Sequence, residues 1–180
     1  MQVKSEKLLF RLVTIDDSDF IFNLRLSKGK FINNEGYTKV LNKAWISEYL
    51  KKEEKGEEYY FIIEGNNKDI GVVRIYQLNF EQKTFSWGSW ILIDDCSPFS
   101  AITSAIMVYA FAFEFLGMEK SLFEVRNNNL KVKSFHTKTG AKLIKKDELD
   151  SYFCFDKNDY KILKTKYKKY TGEIKIVDIF

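Results

Sequence analysis

The sequence predicts an α+β (mixed α/β) fold, with a central, mostly antiparallel twisted sheet flanked by helices. Three observations carry this expectation. Apolar, β-branched runs separated by short turns fill the first half of the chain. A helix-length apolar segment, Phe99 to Leu116, starts just behind the last of those runs. A second strand-then-helix pair follows it, and strand–helix–strand–helix order implies a crossover unit appended to antiparallel strands. A length of 180 residues suits one domain with a sizeable core. We expect a single domain over 1–180, since no repeat, low-complexity stretch or linker divides it.

The individual elements follow in order. Leu8 to Val13 reads as a strand. Asp16 or Asp17 can cap the helix behind it, because a carboxylate accepts from the first free N–H groups. Phe20, Ile21, Leu24 and Leu26 give that helix an apolar face. Lys28 to Gly36 is a polar, glycine-bounded connection, expected to be mobile. Thr38 to Lys52 is a second helix, with Leu41, Trp45, Ile46, Tyr49 and Leu50 at helical spacing. Tyr59 to Ile63 and Ile70 to Leu78 form a hairpin across Gly65 to Asp69. Thr84 to Ile93 is the next strand, and Asp94 to Ser97 a polar break. Ser97 is a suitable N-cap and Pro98 a suitable first helical residue for the apolar helix, which Gly117 closes. Its apolar residues surround nearly the whole helix, so it must be buried on several sides. Ser121 to Val125 is a strand, followed by a helix ending near Gly140. Ala141 to Ile144 and Tyr152 to Phe155 pair around an acidic turn, Asp147 to Asp150. Asp159 to Tyr170 is a lysine- and tyrosine-rich helix, and Glu173 to Phe180 a last strand or a tail.

Composition narrows the function. Basic residues number 29 and acidic ones 25, a formal charge of +4. Arginine occurs only at positions 11, 25, 74 and 126. Such dispersion argues against a nucleic-acid reader. No apolar run reaches the roughly 20 residues of a membrane span, and the N-terminus lacks a signal-peptide core. Cys96 and Cys154 show no metal spacing and make no disulfide scaffold. A cytoplasmic protein without a metal is the expectation.

Residues 84–140 hold whatever chemistry the chain has. A helix beginning just past a strand end offers unbonded backbone N–H groups, which suit a phosphate. Ser100, Ala101, Thr103 and Ser104 are small or hydroxyl-bearing, so a bulky ligand can approach the backbone. Farther on, Phe123-Glu124-Val125-Arg126-Asn127-Asn128-Asn129, continued to Ser134-Phe135-His136-Thr137-Lys138-Thr139-Gly140-Ala141, resembles the second half of the signature of the GNAT family of N-acetyltransferases. There a strand reading Glu-Val is followed by an asparagine and a helix ending aromatic-x-Lys-x-Gly-(Phe/Ala). The resemblance covers about residues 8–155, leaving 156–180 as a C-terminal extension. It is nearest to the branch of ribosomal-protein N-terminal acetyltransferases and amino-sugar N-acetyltransferases. One departure stands out: the family's cofactor loop is glycine-rich, whereas Ser97 to Thr103 contains no glycine.

The resemblance implies an acetyl-CoA-dependent N-acetyltransferase. Its pyrophosphate would lie at the helix start, on Phe99, Ser100, Ala101, Ile102, Thr103 and Ser104. Its pantetheine amides would pair with the strand end Ile91, Leu92 and Ile93. Asn129 would bond the same arm, or act only as a helix cap. Glu124 stands where some N-terminal acetyltransferases of the family place their general base, the alternative being a solvated strand residue. His136, the only histidine, stands where the family often has a tyrosine that protonates the departing thiolate, a task open to an imidazolium. Trp87 and Trp90 read as core or cleft wall, and Asp94 and Asp95 as turn residues or amine-positioning groups. Lys28 to Tyr37 and Lys145 to Tyr152 would shape the acceptor site. The favoured partner is a small-molecule amine, in particular a nucleotide-linked amino sugar of surface-polysaccharide synthesis. The alternatives are a protein N-terminal amine, or a degenerate acyl-CoA-binding or interaction module without activity. No nucleic-acid partner is expected, and a homodimer stays open.

Overall fold

The computed structural model describes residues 1–28 and 36–177. Among them, nine strands form one sheet in the order β7-β8-β6-β5-β4-β3-β2-β1-β9. The strands are β1 (Gln2–Lys4), β2 (Leu8–Leu12), β3 (Tyr59–Gly65), β4 (Lys68–Asn79), β5 (Thr84–Leu92), β6 (Lys120–Arg126), β7 (Lys142–Lys146), β8 (Asp150–Asp156) and β9 (Lys175–Val177). The helices are α1 (Ser18–Ser27), α2 (Lys39–Glu54), α3 (Ser100–Ala110), α4 (Leu130–Thr139) and α5 (Lys157–Thr171). Every neighbouring pair is antiparallel except β5 and β6, which α3 connects in parallel.

Local chemistry accounts for the boundaries. Asn66 and Asn67 take φ of 52° and 59° in the β3–β4 turn, the left-handed geometry that a two-residue hairpin requires and asparagine tolerates. Thr38 caps α2 by accepting from the Leu41 N–H at 3.2 Å. Gly140 ends α4 at φ 108°, where a side chain would be strained. Asp156 and Asp159 form a reciprocal capping box at the start of α5.

Helices cover both faces. On one, α1 and α2 bury Ile21, Leu24, Ile46 and Tyr49 against Tyr60, Ile62, Val72 and Ile91. On the other, α3 packs Ile106, Tyr109 and Phe113 on Phe10, Phe61, Ile75 and Phe85. Helix α5 lies antiparallel across the back of α3. The Tyr160 hydroxyl donates to Glu114 at 2.6 Å near one end, and Tyr170 stacks on Phe99 at 4.3 Å at the other. The all-round apolar character of α3 is thereby explained, since each fully buried Ile, Met or Phe contributes about 1.5–3 kcal/mol.

Several expectations are corrected. Strand β1 was not anticipated; it pairs with both β2 and β9, so the C-terminal segment is a strand at Lys175–Val177. Neither Asp16 nor Asp17 caps α1 through its side chain. Asp17 accepts instead from the Thr14 N–H at 2.7 Å and from both ends of the Arg11 guanidinium at 2.9 and 2.8 Å. Leu41 and Trp45 are exposed, so the buried stripe of α2 is narrower than its apolar pattern. The long apolar helix is regular only to Ala110 and continues as a π-helical turn over Phe111–Phe115. It begins at Ser100, not behind Ser97: Pro98 and Phe99 form a turn in which the Ser100 N–H donates to the Ser97 carbonyl at 2.8 Å. The connection expected to be mobile falls largely on residues 29–35, outside the described residues. Among the described residues no helix is long and apolar enough to cross a membrane.

Candidate active site

The site originates in a defect of the sheet. Between β4 and β5, Arg74 pairs with Gly88 and Val72 with Ile91, so β5 carries one residue more than β4 over this interval. The excess is a bulge at Ser89, which takes φ 46°; a bulge bends its strand and sharpens the twist. Directly beyond it the two backbones come close. A Cβ on Gly71 would sit 2.4 Å from the Ile91 carbonyl oxygen, so glycine is required there.

Strand β5 consequently leaves its parallel neighbour. The β5–β6 register is confined to Thr84↔Lys120 and Phe85↔Ser121. The Ser86 hydroxyl donates to the Leu122 carbonyl as the last link. Beyond this clamp the strands part, and among the described residues the β6-facing edge of Trp90, Ile91 and Leu92 has no strand partner. Ile93 continues only on the β4 side, its N–H donating to the Ile70 carbonyl at 2.9 Å.

The parted strands open toward the start of α3. Among the described residues, the N–H groups of Ala101 and Ile102 have no backbone acceptor, while the Thr103 N–H already donates to the Phe99 carbonyl at 2.9 Å. Two free amides at the positive end of a helix make an anion seat. The Phe99 ring stacks on Tyr170 of α5 with Lys7 above it at 5.6 Å. The hydroxyls of Ser100 and Thr103 are buried without hydrogen-bond partners. Ser104 receives the Trp90 indole N–H at 3.1 Å and thereby fixes the ring across the opening.

On the α3 and α4 side the slot is walled by rings. His136 lies 4.4 Å from Phe123 and 5.4 Å from both Trp87 and Phe135, centroid to centroid. Trp87 is held by its indole N–H, which donates to the Tyr109 hydroxyl at 3.3 Å. The imidazole is 4% exposed and its Nδ1 has no hydrogen-bond partner. Burial pushes its pKa down to about 4, because the cage disfavours the charged form. The expectation of an imidazolium acid is therefore corrected: near neutral pH this ring is uncharged. Trp87 and Trp90 are cleft wall.

The opposite face carries different chemistry. Alternation along β6 buries Phe123 and Val125 and exposes Glu124, which sits opposite Tyr152 of β8. Burial raises the Tyr76 phenol pKa, and the Glu124 charge adds to the effect. Asn129 accepts from the Val132 N–H at 3.3 Å and caps α4. Asp94 pairs with Lys28 and ties the end of α1 to the loop after β5.

Beside the bulge lies a pocket of about 490 Å³ that the sequence reading did not anticipate. Its wall includes Arg25 of α1, Tyr37, Trp45 of α2, Tyr60 of β3, Arg74 of β4 and Ser89. Two of the four scattered arginines thus converge, which only the fold reveals. Among the described residues no group of three His, Cys, Asp or Glu side chains is placed to hold a metal.

A parallel strand pair that parts in front of an uncapped helix start, with a carboxylate on one face and an apolar cage on the other, suits an extended ligand with an anionic end. A family model described as an acetyltransferase (GNAT) domain matches residues 7–142. The chain is also similar to the apo structure of FdhC, a nucleotide-linked sugar GNAT, with 38% identity, a TM-score of 0.89, and coverage of 96% of this chain and 99% of that one. It resembles the spermidine N-acetyltransferase of Vibrio cholerae in complex with CoA and spermine in fold alone, at 19% identity, a TM-score of 0.71, and coverage of 86% and 98%. No curated protein matches the chain. The chain belongs to the GNAT family of acetyltransferases, whose transfer reaction draws on acetyl-CoA.

Proposed function

We propose that this protein transfers the acetyl group of acetyl-CoA to a primary amine by direct attack, the acceptor being a nucleotide-linked amino sugar. The observation that carries the reading is the slot between β5 and β6 leading to the free Ala101 and Ile102 amides. These amides, with the small side chains around them, fit a pyrophosphate without the glycines usual in such loops. The unpartnered edge of Ile91 and Leu92, extended by Ile93, suits the amides of an extended arm, and we assign Asn129 to the same arm. The thioester supplies an activated acyl carbon and a thiolate leaving group.

The chain's own residues do the rest. An amine must be neutral to attack, and Glu124, on the acceptor side of the slot, takes the proton it releases, directly or through a water. His136 faces the leaving group from the other side. As a neutral imidazole it carries one N–H in either tautomer, and its Nδ1 is not engaged by the protein. We assign it a hydrogen bond to the departing sulfur, while the proton that Glu124 takes from the amine is passed through water to the thiolate. The ring cage excludes water from the thioester.

Similarity to a nucleotide-linked sugar GNAT across nearly the whole of both chains supports the acceptor class. The test is release of free CoA thiol across a panel of amines comprising nucleotide-linked amino sugars, spermidine and peptides with free N-termini. Turnover confined to the nucleotide-linked amines is expected. Turnover only with peptides or polyamines would replace the acceptor, and none with any amine would withdraw the enzyme reading.

A further inference from the structure

Resting on that acceptor reading, we propose that the pocket between α1 and α2 holds the nucleoside-diphosphate half of the acceptor, with Arg25 and Arg74 as counter-charges to the diphosphate. Position is the first argument. Ser89, which makes the bulge, is also pocket wall, and Arg74 lies 4.9 Å from the ring of Tyr76 on the same strand. A ligand with its amine at the slot and its bulk on the α1–α2 face must run past Ser89 into this space.

The chemistry of the walls selects the ligand. Among the described residues, two guanidiniums line the pocket and no carboxylate does. Each guanidinium lies over a ring: Arg25 is 4.9 Å from Tyr37 and Arg74 is 5.0 Å from Trp45. A stacked guanidinium presents its N–H edge sideways in a fixed plane, the arrangement that matches phosphate oxygens. Glu58 holds the Nε of Arg74 at 3.0 Å and also its Nη2, which orients the fork and leaves its Nη1 edge outside the pair. The space is preformed. Asn42, 2% exposed, donates to the Ser18 carbonyl at 2.7 Å and accepts from the Tyr37 hydroxyl, locking α1, Tyr37 and α2 together. A volume of about 490 Å³ falls in the range of small-molecule sites, roughly 300–1,000 Å³.

Isothermal titration with uridine diphosphate, thymidine diphosphate and spermidine, each with and without acetyl-CoA, tests the proposal. Two variants accompany the wild type: Arg25→Gln, and Leu41→Glu, which sets a carboxylate on the pocket rim at a side chain 57% exposed and so does not disturb the core. At least one nucleotide is expected to bind the wild type. Its affinity should fall about tenfold or more in Arg25→Gln and at least fivefold in Leu41→Glu, with acetyl-CoA affinity unchanged. Nucleotide binding that neither variant weakens would overturn the pocket assignment while leaving the transferase reading intact. Binding of spermidine but of neither nucleotide, or of none of the three, would overturn it too. Failure of the wild type to bind acetyl-CoA would be the separate failure of the transferase reading, and this assignment would fall with it.

Discussion

Replacing His136 with phenylalanine should flatten the acid limb of the protein's stability profile. In the folded protein the imidazole pKa is pushed from 6.5 to about 4 by burial, whereas in the unfolded chain it returns to about 6.5. Between these values the unfolded state binds a proton that the folded state refuses, so stability rises with pH across this window and is lost as pH falls through it. Above pH 6.5 both states hold a neutral ring and the term vanishes. The full span corresponds to roughly 3.5 kcal/mol at ~1.4 kcal/mol per pH unit, most of it spent between pH 6.5 and 4.5. Phenylalanine fills the same ring cage without a titrating group. Urea unfolding of wild type and His136→Phe at half-unit steps from pH 7.5 to 4.5 provides the assay. Carboxylates that acid also protonates are common to both proteins and cancel in the difference. The wild type is expected to lose roughly 2–3 kcal/mol more than the variant. Parallel profiles would refute the reasoning and place the imidazole in contact with water.

Other perturbations probe the site and its frame. Glu124→Gln should lower kcat by about 10²-fold or more, in line with loss of a general base, while acetyl-CoA affinity by titration stays within twofold; an equal loss in both would make Glu124 a binding residue. Gly71→Ala forces a Cβ to 2.4 Å from the Ile91 carbonyl, and should cost about 1–3 kcal/mol in urea unfolding and weaken acetyl-CoA binding by pushing β5 into the slot. Unchanged affinity would separate the slot from the cofactor. Arg11→Met strips the partner from Asp17, whose side chain is 9% exposed, together with the links to Glu64 and Asp69. A loss of about 2–3 kcal/mol is expected for this partly exposed network, and a loss below about 0.5 kcal/mol would mean that water replaces the arginine.

The order of strands and helices was legible because each apolar run has a period and a terminator, as with Thr38 before α2 and Gly140 after α4. The multiply buried α3 was legible from its apolar surround. The slot was not. Its cause is a bulge at Ser89, a residue type with no special claim to φ 46°, and a bulge depends on how two strands pair. The state of His136 was equally hidden, because the rings that desolvate it come from β5, β6, β8 and α4. Arginines dispersed along the chain read only as a reason against a nucleic-acid reader, yet folding brings Arg25 and Arg74 to one pocket. For Asn129 the cap read from the sequence is present, and contact with the pantetheine arm remains part of the proposal. Residues 29–35 contribute nothing to this comparison.

A crystal structure of the protein with coenzyme A tests the central claim most directly. The account predicts pyrophosphate oxygens on the Ala101 and Ile102 amides, the pantetheine arm along Ile91 to Ile93, and the sulfur between Glu124 on one face and His136 on the other. Coenzyme A seated elsewhere, with β5 and β6 closed on each other beyond Ser86, would contradict it.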